Sequence, residues 1–175
     1  MKLAKLIKDK IQRQGDLPFD EFMQIALYGA DNGYYTTKFN KIGKGGDFTT
    51  APEISSLFGS TLAKQIKQIF GQLTTNPVIL EFGSGTGKLC VDILTELEKL
   101  NTLPDVYYIL DLSGDLKNLQ QQMINQHISH LASKVVWLQE LPKNPLQGVI
   151  VANEVVDAMP VKRFVIRDSE LFEVF

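Results

Sequence analysis

Apolar residues recur along this chain at helical spacing up to about residue 76 and then gather into short continuous runs. Leu3, Leu6, Ile7 and Ile11 share one face of a helix over residues 1–14, ringed by Lys2, Lys5, Lys8, Lys10 and Arg13, with Gly15 placed to stop it. A second helix is predicted from near Pro18 to Tyr28, with Phe19, Phe22, Met23, Ala26 and Leu27 inward. Pro18 suits its first helical position and Gly29 a left-handed cap. Thr50 and Glu53 have capping-box spacing, with Pro52 in the first turn. Ile54, Leu57, Phe58, Leu62, Ile66, Ile69 and Phe70 continue a helical stripe that Gly71 closes. The glycine-rich segment Lys41 to Phe48 reads as a surface loop and is expected to act as a lid.

Beyond residue 77 the runs Val78–Phe82, Val106–Leu110, Val135–Leu138 and Val149–Ala152 read as strands. Helices beginning near Leu89 and near Asp115 separate the first three. Near-continuous apolar strands alternating with helices predict an α/β fold, a Rossmann-like parallel sheet covered on both faces. Val161 to Phe175 reads as a hairpin turning at Asp168-Ser169. The expected organisation is an N-terminal helical segment, 1–76, and a partial Rossmann-like domain, 77–175.

Composition narrows the function. The 175 residues carry 18 Lys+Arg against 20 Asp+Glu, a net charge of −2, which argues against a dedicated nucleic-acid binder. A single cysteine, Cys90, leaves no intrachain disulfide framework and no cysteine-built zinc site. No apolar run approaches the ~20 residues that span a bilayer. The basic N-terminal helix contains Asp9, lacks Ser and has only Arg13 as arginine, so it reads as a docking helix more than a transit peptide. The expected compartment is the cytoplasm, with the mitochondrial matrix as the alternative. His127 and His130 lack a third ligand nearby, and no metal is expected.

Strand, glycine-rich turn and helix together bring a backbone close to a nucleotide. In Glu81-Phe82-Gly83-Ser84-Gly85-Thr86-Gly87-Lys88-Leu89 a phosphate-binding P-loop fails, because Leu89 cannot hold magnesium. The dinucleotide fingerprint is partial, because Lys88 stands where its third glycine should be. The remaining pattern is that of an S-adenosyl-L-methionine loop, with Glu81, Gly83, Ser84, Gly85 and Gly87 as candidates. Asp111 ends the second strand, where a carboxylate accepts from both ribose hydroxyls, and Leu112 follows it. Gln139 and Glu140, after the third strand, are candidates for the adenine edge.

Several segments carry a closer resemblance. Asn32-Gly33-Tyr34-Tyr35, the run Gly46-Asp47-Phe48-Thr49-Thr50-Ala51-Pro52-Glu53, the glycine loop, Tyr108-Ile109-Leu110-Asp111-Leu112-Ser113 and Asn153-Glu154-Val155-Val156-Asp157-Ala158-Met159-Pro160 resemble the MidA family. That family includes the mitochondrial complex I assembly factor that methylates an arginine. The resemblance implies a class I methyltransferase fold, S-adenosyl-L-methionine as cofactor and, through the mitochondrial member, protein-arginine methylation. Such folds normally have seven strands. The chain is therefore expected to be an N-terminal half, with self-association or a missing C-terminal half among its partners beside a protein substrate.

An arginine substrate needs carboxylates that accept its forked donors. Glu154 is the expected guanidinium anchor and Asp157 its support, with Asn153 placed to contact the methionine part of the cofactor or the substrate. Asp47, Phe48 and Thr49 are the substrate and lid candidates. The competing readings are a cofactor-binding assembly factor acting by protein contact and, further off, a nicotinamide-dependent oxidoreductase.

Overall fold

The structure, a computed structural model, describes residues 2–29, 33–36, 49–74, 76–111 and 114–175. The chain divides into two compact units, Met1–Phe39 with Val156–Phe175, and Asn40–Val155.

The first unit holds α1 (Lys2–Gln14), α2 (Phe19–Tyr28) and an antiparallel hairpin of two strands that close the chain. Gly15 ends α1 at φ +86°, as a left-handed stop should. Leu6 and Ile11 of its apolar stripe remain exposed. Pro18 is the residue before α2 and not its first helical position. Gly29 does not take the left-handed cap expected of it, because φ is −56° and ψ 133°, and the chain leaves the helix extended. In the hairpin Asp168 and Ser169 lie at φ +50° and +67°, the pair of left-handed residues that a two-residue turn uses to match strand twist.

The second unit is built on four parallel strands, β1 (Val78–Phe82), β2 (Tyr107–Leu110), β3 (Val135–Leu138) and β4 (Gly148–Ala152), in the order β3-β2-β1-β4. α3 (Ala51–Ile54) and α4 (Ser56–Phe70) precede the sheet. α5 (Lys88–Lys99) links β1 to β2, and α6 (Gly114–Ile128) with a short 3-10 turn links β2 to β3. Their core joins Ala63, Ile66 and Phe70 of α4, Leu89, Cys90, Ile93, Leu94 and Leu97 of α5, and Ile124 and Ile128 of α6 to Ile79, Tyr107, Ile109, Val135 and Val151.

Coverage of both sheet faces was expected, and the described helices of this unit cover one. Registered residues alternate faces, so Ile79, Tyr107 and Val135 point to the helices while Leu80, Tyr108, Val136 and Ile150 form the opposite row. In that row Val136 is 40% and Ile150 68% exposed, while Leu80 on the central strand is buried at 4%. The cause is topological. Two successive right-handed crossovers in one direction put α5 and α6 on the same side, and the link from β3 to β4 carries no helix.

The helix before the sheet also differs from its pattern. Thr50 makes no side-chain cap, and Ser55 caps α4 by accepting from Leu57 N at 3.1 Å. Ile54 and Leu57, placed on the inward stripe by periodicity, are 73% and 74% exposed. The buried face is Gly59, Ala63, Ile66 and Phe70, where a glycine lets α4 approach Asp92 of α5 closely.

Candidate cofactor site

The loop between β1 and α5 alternates glycines with hydroxyl residues, and the two kinds do different work. Gly83, Gly85 and Gly87 lie at φ +62°, +56° and +86°, a region where a Cβ is strained. Ser84 and Thr86 are buried beneath. Ser84 Oγ donates to Glu81 Oε2 at 2.7 Å, and Thr86 Oγ1 donates to Glu53 Oε1 at 2.5 Å. The partner of Glu53 is thus the glycine loop and not its own helix start, which corrects the capping-box reading. Lys88 pairs with Asp92 Oδ2 at 2.5 Å along α5.

Two carboxylates at the strand ends have contrasting surroundings. Glu81, 2% exposed, accepts from Ser84 and, at 2.9 Å, from the Tyr107 hydroxyl. Burial pushes its pKa up to about 7 against the pull of those two hydrogen bonds, and the Asp111 charge adds to the rise. The same burial, with Glu81 beside them, holds the Tyr107 hydroxyl and the Cys90 thiol well above their ordinary values. Glu81 therefore lies under the loop as its internal anchor. Asp111 is half-buried after β2, and its Oδ2 accepts from Gln120 Nε2 at 3.0 Å.

Gln120 was not among the sequence candidates. Its side chain, fully buried, also donates to Gly85 O at 3.1 Å and accepts from Trp137 Nε1 at 2.8 Å. A signal existed in the spacing, since Gln120, Ile124 and Ile128 share one stripe of α6 and a polar residue there needs partners. Glu53 and Tyr107 were likewise outside the site candidates, because only the fold brings them to the loop.

The other candidates are spread more widely. Asn153 is half-buried and Glu154 exposed in the turn after β4. β4 pairs with β1 through Phe82 and Ala152, so this turn emerges beside the glycine loop. A Cβ on Gly83 would meet Val155 Cγ2 at 3.0 Å. Glu154 takes φ +52°, a conformation that a glutamate holds only at a cost of about 1–2 kcal/mol. Gln139 and Glu140 follow β3 in the open, and Thr49 is exposed. Asp157 belongs to the first unit, where burial and then its charge raise the Tyr28 hydroxyl, and burial, Tyr28 and lastly Asp157 raise that of Tyr35. Asp47, Phe48, Leu112 and the whole segment 41–48 lie outside the described residues. His130 pairs with Glu98 at 2.9 Å. No described helix is long and apolar enough to cross a membrane.

Proteins named as methyltransferases are among those that this chain is similar to. A family of S-adenosyl-L-methionine-dependent methyltransferases (Methyltransf_28) matches residues 61–175. The Drosophila melanogaster protein named "Protein arginine methyltransferase NDUFAF7 homolog, mitochondrial" is 28% identical over 193 residues, covering 98% of this chain and 44% of that protein. The Danio rerio protein arginine methyltransferase NDUFAF7, also named mitochondrial, is 27% identical over 93% of this chain and 43% of its own. Those names give the cytoplasmic expectation no support. Among solved structures, a COG1565 superfamily member from Burkholderia thailandensis bound to S-adenosyl-homocysteine superposes with a TM-score of 0.84 at 36% identity. That match covers 99% of this chain and 49% of the other. The chain thus spans about half the length of the relatives it matches. With the sheet order, the glycine loop and Asp111 in place, the chain belongs to the MidA family of class I S-adenosyl-L-methionine-dependent methyltransferases.

Proposed function

We propose that this chain supplies the cofactor-binding half of a protein methyltransferase whose acceptor is an arginine side chain. The observation that carries the reading is the loop at 83–87. Its three glycines leave the outer face without side chains, while Glu81 and Glu53 hold it from below. Such a cradle fits S-adenosyl-L-methionine. Lys88, which follows the loop directly, is paired with Asp92, and the neutral backbone of the loop suits a methionine moiety. Asp111 would take the ribose hydroxyls. When bound, the cofactor supplies an electrophilic methyl group on a sulfonium.

The chain's own part in the chemistry is to position the nucleophile. Guanidinium nitrogens share one positive charge, and a carboxylate that accepts from two of them concentrates the lone pair on the third. Glu154 is the residue we assign to that task. It stands beside the glycine loop in a strained backbone position, which supports a functional demand on its direction. The acceptor nitrogen that Glu154 orients would take the methyl group the cofactor supplies, leaving the sulfur as a neutral thioether, and would give up its proton to solvent or a carboxylate. The arginine assignment draws on the names of the curated relatives, which are 24–28% identical to this chain.

The test is transfer of tritiated methyl from S-adenosyl-L-methionine to protein by the full protein, followed by acid hydrolysis. Label in methylarginine supports the reading. Label confined to another amino acid overturns the arginine part, and binding of NADH in place of S-adenosyl-L-methionine overturns the whole.

A further inference from the structure

We infer that Gln120 is a positioning residue of the cofactor site, its amide setting the glycine loop and the Asp111 carboxylate in register with each other. The inference rests on the cofactor reading above. Its foundation is the number and origin of the partners. Gly85 follows β1, Asp111 follows β2 and Trp137 lies on β3, so one side chain ties together three adjacent strands near their C-terminal ends. That edge is where ligands of open α/β sheets lie.

The chemistry of the partners fixes how the amide must sit. Trp137 Nε1 is only a donor, so it must face the amide oxygen. The Gly85 carbonyl and the Asp111 carboxylate are acceptors, so they must face the NH2 group. Both amide hydrogens are used, and neither end can be exchanged without setting like against like. Packing alone does not ask for this. Ile124 and Ile128 continue the same buried stripe, and an aliphatic residue at 120 would fill it without burying an amide.

The backbone of α6 adds a second constraint. A Cβ on Gly87 would lie 3.1 Å from Gln120 Cα, so the helix presses on the end of the loop and the side chain spans only a short gap. Lys117, one turn earlier, lies with its ammonium 5.8 Å from the Trp137 ring centre. The distance between the ribose acceptor and the methionine cradle is thereby set before a ligand arrives, and the ordering cost is not charged to binding.

Calorimetry with S-adenosyl-homocysteine on the full protein tests this, using Gln120→Leu and Gln120→Glu. The leucine variant should bind about tenfold more weakly, a preorganisation loss of the ordinary size. In the glutamate variant a carboxyl faces Asp111 and the Gly85 carbonyl and can donate only while it holds a proton. The ratio of its Kd to that of the wild type should exceed about tenfold at pH 8.5 and shrink toward unity by about pH 5.5. Glu81 titrates in both proteins, so the ratio removes its contribution. If the leucine variant does not fold, the glutamate profile decides. A ratio near unity at every pH overturns the inference and leaves the cofactor reading standing. A wild-type protein that binds no S-adenosyl-homocysteine overturns both.

Discussion

The substitution Glu81→Gln should remove a pH dependence of stability that the buried carboxylate imposes. The folded state raises this group from 4.5 to about 7. At about 1.4 kcal/mol for each tenfold change in proton affinity, that rise corresponds to about 3 kcal/mol. The sign follows from which state holds the proton. Between those two values the folded protein is protonated at Glu81 and the unfolded chain is not. The stabilisation is fully present below pH 4.5 and is lost as the pH rises through 7. The glutamine variant cannot ionise at this position; its amide oxygen can keep the Ser84 and Tyr107 hydroxyls, which share one carboxyl oxygen, but its NH2 replaces the other oxygen at a buried position, a pH-independent cost of about 1 kcal/mol. The measurement is urea unfolding from pH 4.5 to 8.5, followed through Trp137, the single tryptophan, which reports on the sheet unit. Other titrations are common to both proteins, so the stability difference is the quantity to plot. The variant should be the less stable form at low pH and the more stable one above neutrality, with a swing of about 3 kcal/mol. A difference that stays constant across that range refutes the reasoning.

Asp111→Ala should weaken S-adenosyl-L-methionine binding by about 1.5–3 kcal/mol in calorimetry, the worth of charge-assisted hydrogen bonds, and unchanged affinity would remove the ribose assignment. Gly85→Val, at φ +56°, should abolish cofactor binding while circular dichroism still shows a folded domain, and native affinity in the folded variant would argue against the cradle. Gly87→Ala combines a φ of +86° with a contact 3.1 Å from Gln120 Cα. It should cost about 1–3 kcal/mol in denaturant unfolding, and an unchanged midpoint would count against the strain. Glu154→Gly should relieve its left-handed backbone and raise stability by about 1 kcal/mol while methyl transfer falls, so a variant with full turnover would remove Glu154 from the chemistry.

Much of the frame was legible in the residues. β1 and β3 coincide with the apolar runs that marked them, and β2 and β4 differ by a residue at one end. Buried parallel strands announce themselves this way because both neighbours and the covering helices demand apolar side chains at successive positions. The glycine loop was legible for a similarly local reason, since a turn with three left-handed residues admits little else.

What the pattern alone could not decide was which partner each side chain would meet. Glu53 has the spacing of a helix cap, yet its carboxylate crosses to Thr86, because the packing of α3 against α5 brings a buried hydroxyl to it. Ile54 and Leu57 fit a helical stripe but face outward, since the chain breaks at Ser55 and restarts the helix on another phase. Gln120 sits in a run of three glutamines that reads as a solvated face, and only the parallel order of β1, β2 and β3 brings Gly85, Asp111 and Trp137 around it. Local sequence determined the strands, the loop and the carboxylate at the end of β2, because those depend on backbone geometry and near neighbours. The clamp behind the loop was decided by tertiary structure, because a hydrogen-bond network among residues 35 positions apart has no local signature.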